Sequence, residues 1–157
     1  MKPTTLRMYG NLRGEPGLAW EWVSDRLALA PFYWVVTTRK DGAPHARPLH
    51  GVWLDQRLLL SNGSWNHHHN WEANPKVSVN TGNGTEVVIV EGTGRYEREP
   101  GAVQRFLDAY NPKYGYDFSA EQMTYAFEIV PDVVLAWQTI GELGEKGFQA
   151  VGKWIKE

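Results

Sequence analysis

A succession of short runs rich in β-branched and aromatic residues, separated by tight turns, constrains this chain more than any other feature. Phe32–Thr38 is the clearest of them, and the Lys40-Asp41-Gly42 turn leads into a returning run over 44–50. Pro48 lies in that run and cannot donate to a ladder, which places it at an edge, a bulge or a split in the sheet. Val52–Leu54, the Asp55-Gln56 turn and Arg57–Ser61 read as a second hairpin. Lys76–Asn80 alternates with its two valines inward, and Gly82-Asn83-Gly84 turns into Glu86–Glu91 and then Thr93–Glu97. Thr124–Val130 and Val133–Gln138 complete some seven or eight strands. Only three stretches carry helical signals. Ala19, Trp22, Val23, Leu27 and Ala30 form a stripe over 18–30, stopped by Pro31. A helix is expected over Ser64–Ala73. Pro100 opens another at its favoured first position, with Val103, Phe106, Leu107 and Tyr110 as buried face and Asn111-Pro112 as its end. Hairpin-linked strands with so few helices argue for an antiparallel barrel with peripheral helices, a mainly β fold, and against a parallel α/β sheet.

Length and composition narrow the function. A chain of 157 residues is most simply one domain, read here as an N-terminal arm over 1–17 and a barrel domain over 18–157. Without cysteine there is no thiol catalysis, cysteine-ligated zinc or disulfide framework, and a reducing cytoplasmic location is expected. Interspersed charges summing to -2 argue against nucleic acid as a partner, and no run is apolar for long enough to span a bilayer. Gly82-Asn83-Gly84 lacks the third glycine and the strand–helix setting of a dinucleotide fingerprint. Glu86 and Glu91 fall on opposite strand faces, so they form no carboxylate pair.

The stretch from His45 to Val79 is the best candidate site. The loop Ser61-Asn62-Gly63-Ser64 leads into the second helix, whose unpaired N–H groups and positive dipole end suit an anion. His45 and Arg47 alternate onto one strand face and add positive charge. His67-His68-His69 fan out over roughly 200° at helical pitch and share no i,i+4 pair, so no metal site is expected. His67 lends charge to a phosphate only when protonated, so an affinity resting on it falls as pH rises. Trp65, in the polar loop, is the best candidate for stacking on a planar ring.

The motifs Tyr33–Thr38, Asp41-Gly42-Ala43-Pro44-His45, Gly51-Val52-Trp53-Leu54-Asp55, Ser61-Asn62-Gly63, Asn70–Pro75 and Val88–Gly92 occur in order. Together they resemble the pyridoxamine 5′-phosphate oxidase-like family of flavin- and deazaflavin-binding split barrels, and Phe148–Trp154 is similar to its closing segment. The resemblance implies a six-stranded antiparallel split barrel that forms a homodimer, with FMN or the deazaflavin coenzyme F-420 in a groove between subunits. It implies cofactor contacts at His45, Arg47, Leu49, Ser61, Asn62, Trp65, Asn66, His67, Lys153 and Trp154. It also implies an oxidoreductase that moves hydride to or from a small organic substrate on the cofactor ring, without a conspicuous catalytic side chain. Trp65, Asn66 and His67 stand where the oxidases carry a Ser-Arg-Lys phosphate grip, and Val87 where they carry a ring-contacting glutamine. Pyridoxamine phosphate oxidation itself is therefore not expected. The alternative is a non-catalytic flavin or haem carrier on the same barrel, with His45, His50 or His67 as axial ligand.

Overall fold

A computed structural model describes residues 1–4, 17–61, 65–138 and 150–156, with the side chains of Trp65, Asn66, Ala150 and Val151 outside the description. Its elements run β1 (Lys2–Thr4), α1 (Trp20–Leu29), β2 (Tyr33–Thr38), β3 (Pro44–Leu49), β4 (Gly51–Leu54), β5 (Arg57–Leu60) and α2 (Trp65–Ala73). They continue as β6 (Lys76–Gly82), β7 (Glu86–Glu97), α3 (Pro100–Tyr114), β8 (Ala126–Gln138) and β9 (Ala150–Ile155). All pairings are antiparallel. β6 lies between β2 and β7, β7 lies against β8, β8 meets β5, and β5 meets β4. Because β4 continues β3 through a single residue, His50, and β3 pairs back onto β2, the circuit closes as a barrel.

The split lies where two strands share one long neighbour. Residues 127–129 of β8 pair with β5, and residues 133–138 of the same strand pair with β9. Pro131 falls between the two partners, opposite the bulge at Glu91/Gly92 of β7. A missing N–H costs nothing at such a gap, so the proline does not divide β8. The two strands expected at 124–130 and 133–138 are accordingly one, as are those at 86–91 and 93–97. The first residues of the N-terminal arm also join the sheet, with β1 pairing onto β9.

Inside the barrel Tyr33, Val35, Leu58, Leu60, Val77, Val79, Val88, Val90, Phe127, Ile129, Val134 and Ala136 form one buried cluster with Val23 and Leu27 of α1 and Trp71 of α2. A second cluster joins Val103, Phe106, Leu107 and Tyr110 of α3 to Val52, Leu59 and Ala126 on the outer face. Glu99 caps α3 by accepting from Gly101 N (2.9 Å) and Ala102 N (2.6 Å). Asn111-Pro112 does not end that helix. It continues to Tyr114 and stops at Gly115, which is left-handed at φ 69°.

The extra turn is fixed by its contacts. Tyr114 Oη donates to the Gly51 carbonyl (2.8 Å) and accepts from Gly51 N (3.1 Å). Lys113 Nζ donates to the carbonyls of Gly51 (3.0 Å) and Ala28 (3.1 Å). Tyr33 Oη donates to Leu27 O (2.5 Å). Two of the orphan carbonyls ending α1 thereby find donors from β2 and α3. Gly51 admits no side chain, since a Cβ would lie 2.7 Å from the Leu59 carbonyl oxygen.

Glu128 is buried beneath this surface. It accepts from Arg57 Nη1 (2.6 Å) and from Arg95 Nε. Burial alone would raise its pKa, but the two guanidinium groups outweigh it and hold the carboxyl below its usual range. The stability this contributes is present above pH 4.5 and is lost as pH falls through the depressed folded value. Glu128→Ala is expected to cost about 2 kcal/mol in urea unfolding at pH 7. The gap from the parent should narrow progressively as pH falls below 4.5 and the parent's carboxylate protonates.

Candidate functional site

The inner face of β3 carries His45, Arg47 and Leu49, which pair across to Thr37, Val35 and Tyr33 of β2. This is the shared face expected for His45 and Arg47. α2 packs over it with His67, Asn70 and Trp71 pointing inward. Asn70 Nδ2 donates to Thr37 Oγ1 (2.8 Å), and the Trp71 indole stacks on Phe127 in the barrel. His67 sits between the His45 ring, with centroids 4.8 Å apart, and the Trp71 ring at 5.4 Å. The three consecutive histidines point three ways. His67 is buried, His68 Nδ1 meets the Tyr96 hydroxyl and lies 3.6 Å from Glu72, and His69 is exposed.

His45 is 3% exposed and His67 fully buried, yet no ring nitrogen of either finds a hydrogen bond of good geometry. Buried polar atoms ordinarily have partners, so four such nitrogens in one place are conspicuous. Burial, and then the charges of Arg47 and Arg39, push the His45 pKa down. Burial, the neighbouring His45 and Arg47 push His67 down to about 4, against a smaller opposing effect of the Val35 backbone. The expectation that His67 supplies charge to a phosphate is therefore corrected. Near neutral pH both rings are uncharged and offer only a neutral N–H each.

The remaining expected residues divide. Ser61 lies at the end of β5, where its N (3.0 Å) and Oγ (3.3 Å) both donate to the His50 carbonyl. It thereby joins the β3–β4 junction at His50, one residue beyond Leu49 at the end of the Arg47 face. Asn62 lies outside the described residues, as do the loop ahead of α2 and the side chains of Trp65 and Asn66. Trp154 is 4% exposed and packs against Trp20 at 5.4 Å, so within one chain it is core rather than a wall for a ligand. Strand alternation then turns Lys153 to the opposite face, away from Arg47. Sequence reasoning missed Asn70 and the adjacent cations Arg39 and Lys40. All three come to this groove only because α2 runs along β2, which no local pattern announces.

Arg47 is exposed and has no carboxylate partner among the described residues. Beside it lie unsatisfied imidazole nitrogens, the apolar edge of Leu49 and the start of α2. A family model described as pyridoxamine 5′-phosphate oxidase matches residues 20–142. The chain belongs to this family. No curated protein matches the sequence. Among solved structures it is similar to a conserved hypothetical protein, Rv2991, of Mycobacterium tuberculosis, at 18% identity over 87% of this chain and 98% of that one, with TM-score 0.70. A NimC/NimA family protein of Clostridium acetobutylicum is 16% identical over 75% and 86% of the two chains, TM-score 0.61. An F420 reductase is 19% identical over 69% and 92%, TM-score 0.53. At these identities the shared property is the fold, a mostly antiparallel split barrel.

The lowered His67 pKa carries a sign that can be checked. Between about pH 4 and 6.5 the unfolded chain binds a proton at this position that the folded chain refuses, so stability rises with pH across that window. Removing the ionisable ring by His67→Phe should flatten this slope, by at most about 3 kcal/mol over the window in urea unfolding. An unchanged slope would mean that the ring is protonated in the fold.

Proposed function

We propose that this chain binds a flavin-type cofactor, FMN or the deazaflavin coenzyme, by its phosphate and acts as an oxidoreductase on a small organic substrate. The observation that carries the proposal is an exposed Arg47 with no carboxylate partner among the described residues, beside the buried rings of His45 and His67, on a family fold. The F420 reductase among the structural relatives is in keeping with this reading. When bound, the ring of such a cofactor supplies the hydride chemistry. The protein's part is binding and orientation. Arg47 neutralises the phosphate, His45 and His67 donate neutral hydrogen bonds, Ser61 holds the β3–β4 bend beside the group, and Leu49 lends an apolar edge.

A homodimer belongs to the same proposal. β2 and β3 turn Trp34, Val36, Pro44, Ala46 and Pro48 away from the core, where four of them are exposed and Val36 is half-buried. Trp34 is 46% exposed and Phe32 beside it 43%, an uncovered apolar surface of the kind that marks association. Ala46→Glu at the centre of that face should shift the gel-filtration mass from two chains to one. A parent protein that already runs as one chain contradicts the dimer.

The cofactor reading is tested with Arg47→Gln. Losing one charge-assisted contact should weaken FMN about 10- to 100-fold, read by quenching of flavin fluorescence. Between pH 7 and 8, where the FMN phosphate is already mostly dianionic and His67 is uncharged, affinity should stay flat. Unchanged affinity in Arg47→Gln contradicts the assigned anchor. Oxidation of the reduced cofactor by an added acceptor then separates an enzyme from a carrier.

A further inference from the structure

Beyond His45, toward the tip of the β2–β3 hairpin, a separate depression opens beside α2. At the tip of the β2–β3 hairpin, Arg39 and Lys40 face α2 across a cavity of 430 Å³ also lined by Asp41, His69 and Asn70. Neither cation has a carboxylate partner among the described residues, and Asp41 is turned back to accept from Ala43 N (3.0 Å). Asn70 forms the floor and is 7% exposed, its amide held by Thr37. Arg39 N donates to the Ala43 carbonyl (2.8 Å), so its backbone sits four residues along β3 from Arg47, about 13 Å at strand rise. Between the two cationic ends lie the unsatisfied nitrogens of His45 and His67, and His45 is within electrostatic reach of both Arg39 and Arg47.

We propose that this end of the groove is a second anion subsite, in which Arg39 and Lys40, over the Asn70 floor, take a carboxylate or phosphate about 13 Å from the group held at Arg47. The subsite rests on the cofactor reading and extends it. The molecule that completes the groove is anionic at two places, either as one long ligand or as a cofactor with an acidic substrate beside it. Arg39 and Lys40 are exposed, so water and salt screen them and the hold on an anion should weaken as ionic strength rises. The Asp41 carboxylate tempers the field, which favours a single anionic group over a dense polyanion.

The test titrates inorganic phosphate into isotopically labelled protein and follows the side-chain NMR signals of Arg39, Arg47 and Asn70. Two saturable responses are expected, one at Arg47 and one shared by Arg39 and Asn70. Replacing both tip cations, in the exposed double variant Arg39→Gln/Lys40→Gln, should weaken the second response about tenfold or more and leave the first within about twofold. A response at Arg47 alone, or one at Arg39 that rises without saturating, overturns the subsite and leaves the cofactor reading intact. A response at Arg39 and Asn70 alone supports the subsite and counts against the cofactor reading. Repeating the titration on FMN-saturated protein identifies the source. A persisting Arg39 response assigns the subsite to a separate acidic ligand, whereas its loss places the single phosphate of FMN at Arg39 and overturns a second subsite beside the Arg47 anchor. Urea unfolding of the double variant checks that its fold is retained.

Discussion

The docking of α2 across the inner face of β2 and β3 is the constraint on which the site depends. Trp71 reaches into the barrel to stack on Phe127, and Asn70 ties the helix to Thr37 at 2.8 Å. Burying an indole contributes a few kcal/mol. That is enough to seat one turn of a short helix whose own sequence, rich in His and Asn, has weak helical preference. With Trp71 and Asn70 fixed, His67 has nowhere to go but against His45. The packing that secures the helix therefore also creates the two unsatisfied imidazoles.

The second constraint is the bend at His50–Gly51, where one chain segment leaves β2 and joins β5. A bend of this kind exposes backbone groups, and the protein covers them from a distance. Tyr114 takes both polar groups of Gly51, Lys113 adds a donor to its carbonyl, and the His50 ring stacks on Tyr114 at 4.1 Å. The same Lys113 caps α1 at Ala28. The last turn of α3 thus fixes both the β3–β4 bend and the end of the first helix. This accounts for the helix persisting past a proline that would ordinarily stop it.

Much of the fold was legible in the chain because its signals are local. The alternation of Val77 and Val79, the Asp55-Gln56 turn (φ 49° and 59°) and the Val103–Tyr110 stripe each declare themselves within a few residues. The errors came where tertiary contacts outweighed a local rule. The two strands expected at 124–130 and 133–138 are one because β8 changes partner between them, which no neighbouring residue shows, and Asn111-Pro112 fails as a helix end because its contact Gly51 is 61 residues distant from Pro112 in sequence. The site was only half legible. The shared face of His45 and Arg47 follows from strand alternation, but the burial of His67 follows from Trp71, and the charge expected of it disappears with that burial. The tip residues Arg39 and Lys40 read as ordinary turn neighbours until α2 is placed beside them.

In chemical terms the Arg47 end of the site offers one exposed guanidinium beside two uncharged imidazoles. A site of that kind discriminates by the charged group of its ligand more than by the ring attached to it. The most direct measurement is a paired titration of the purified protein with FMN and with riboflavin, which differ only in the phosphate. The account predicts that FMN binds at least about tenfold more tightly. Equal affinity for the two, or no binding of either the flavin pair or the phosphate-bearing deazaflavin, would contradict it.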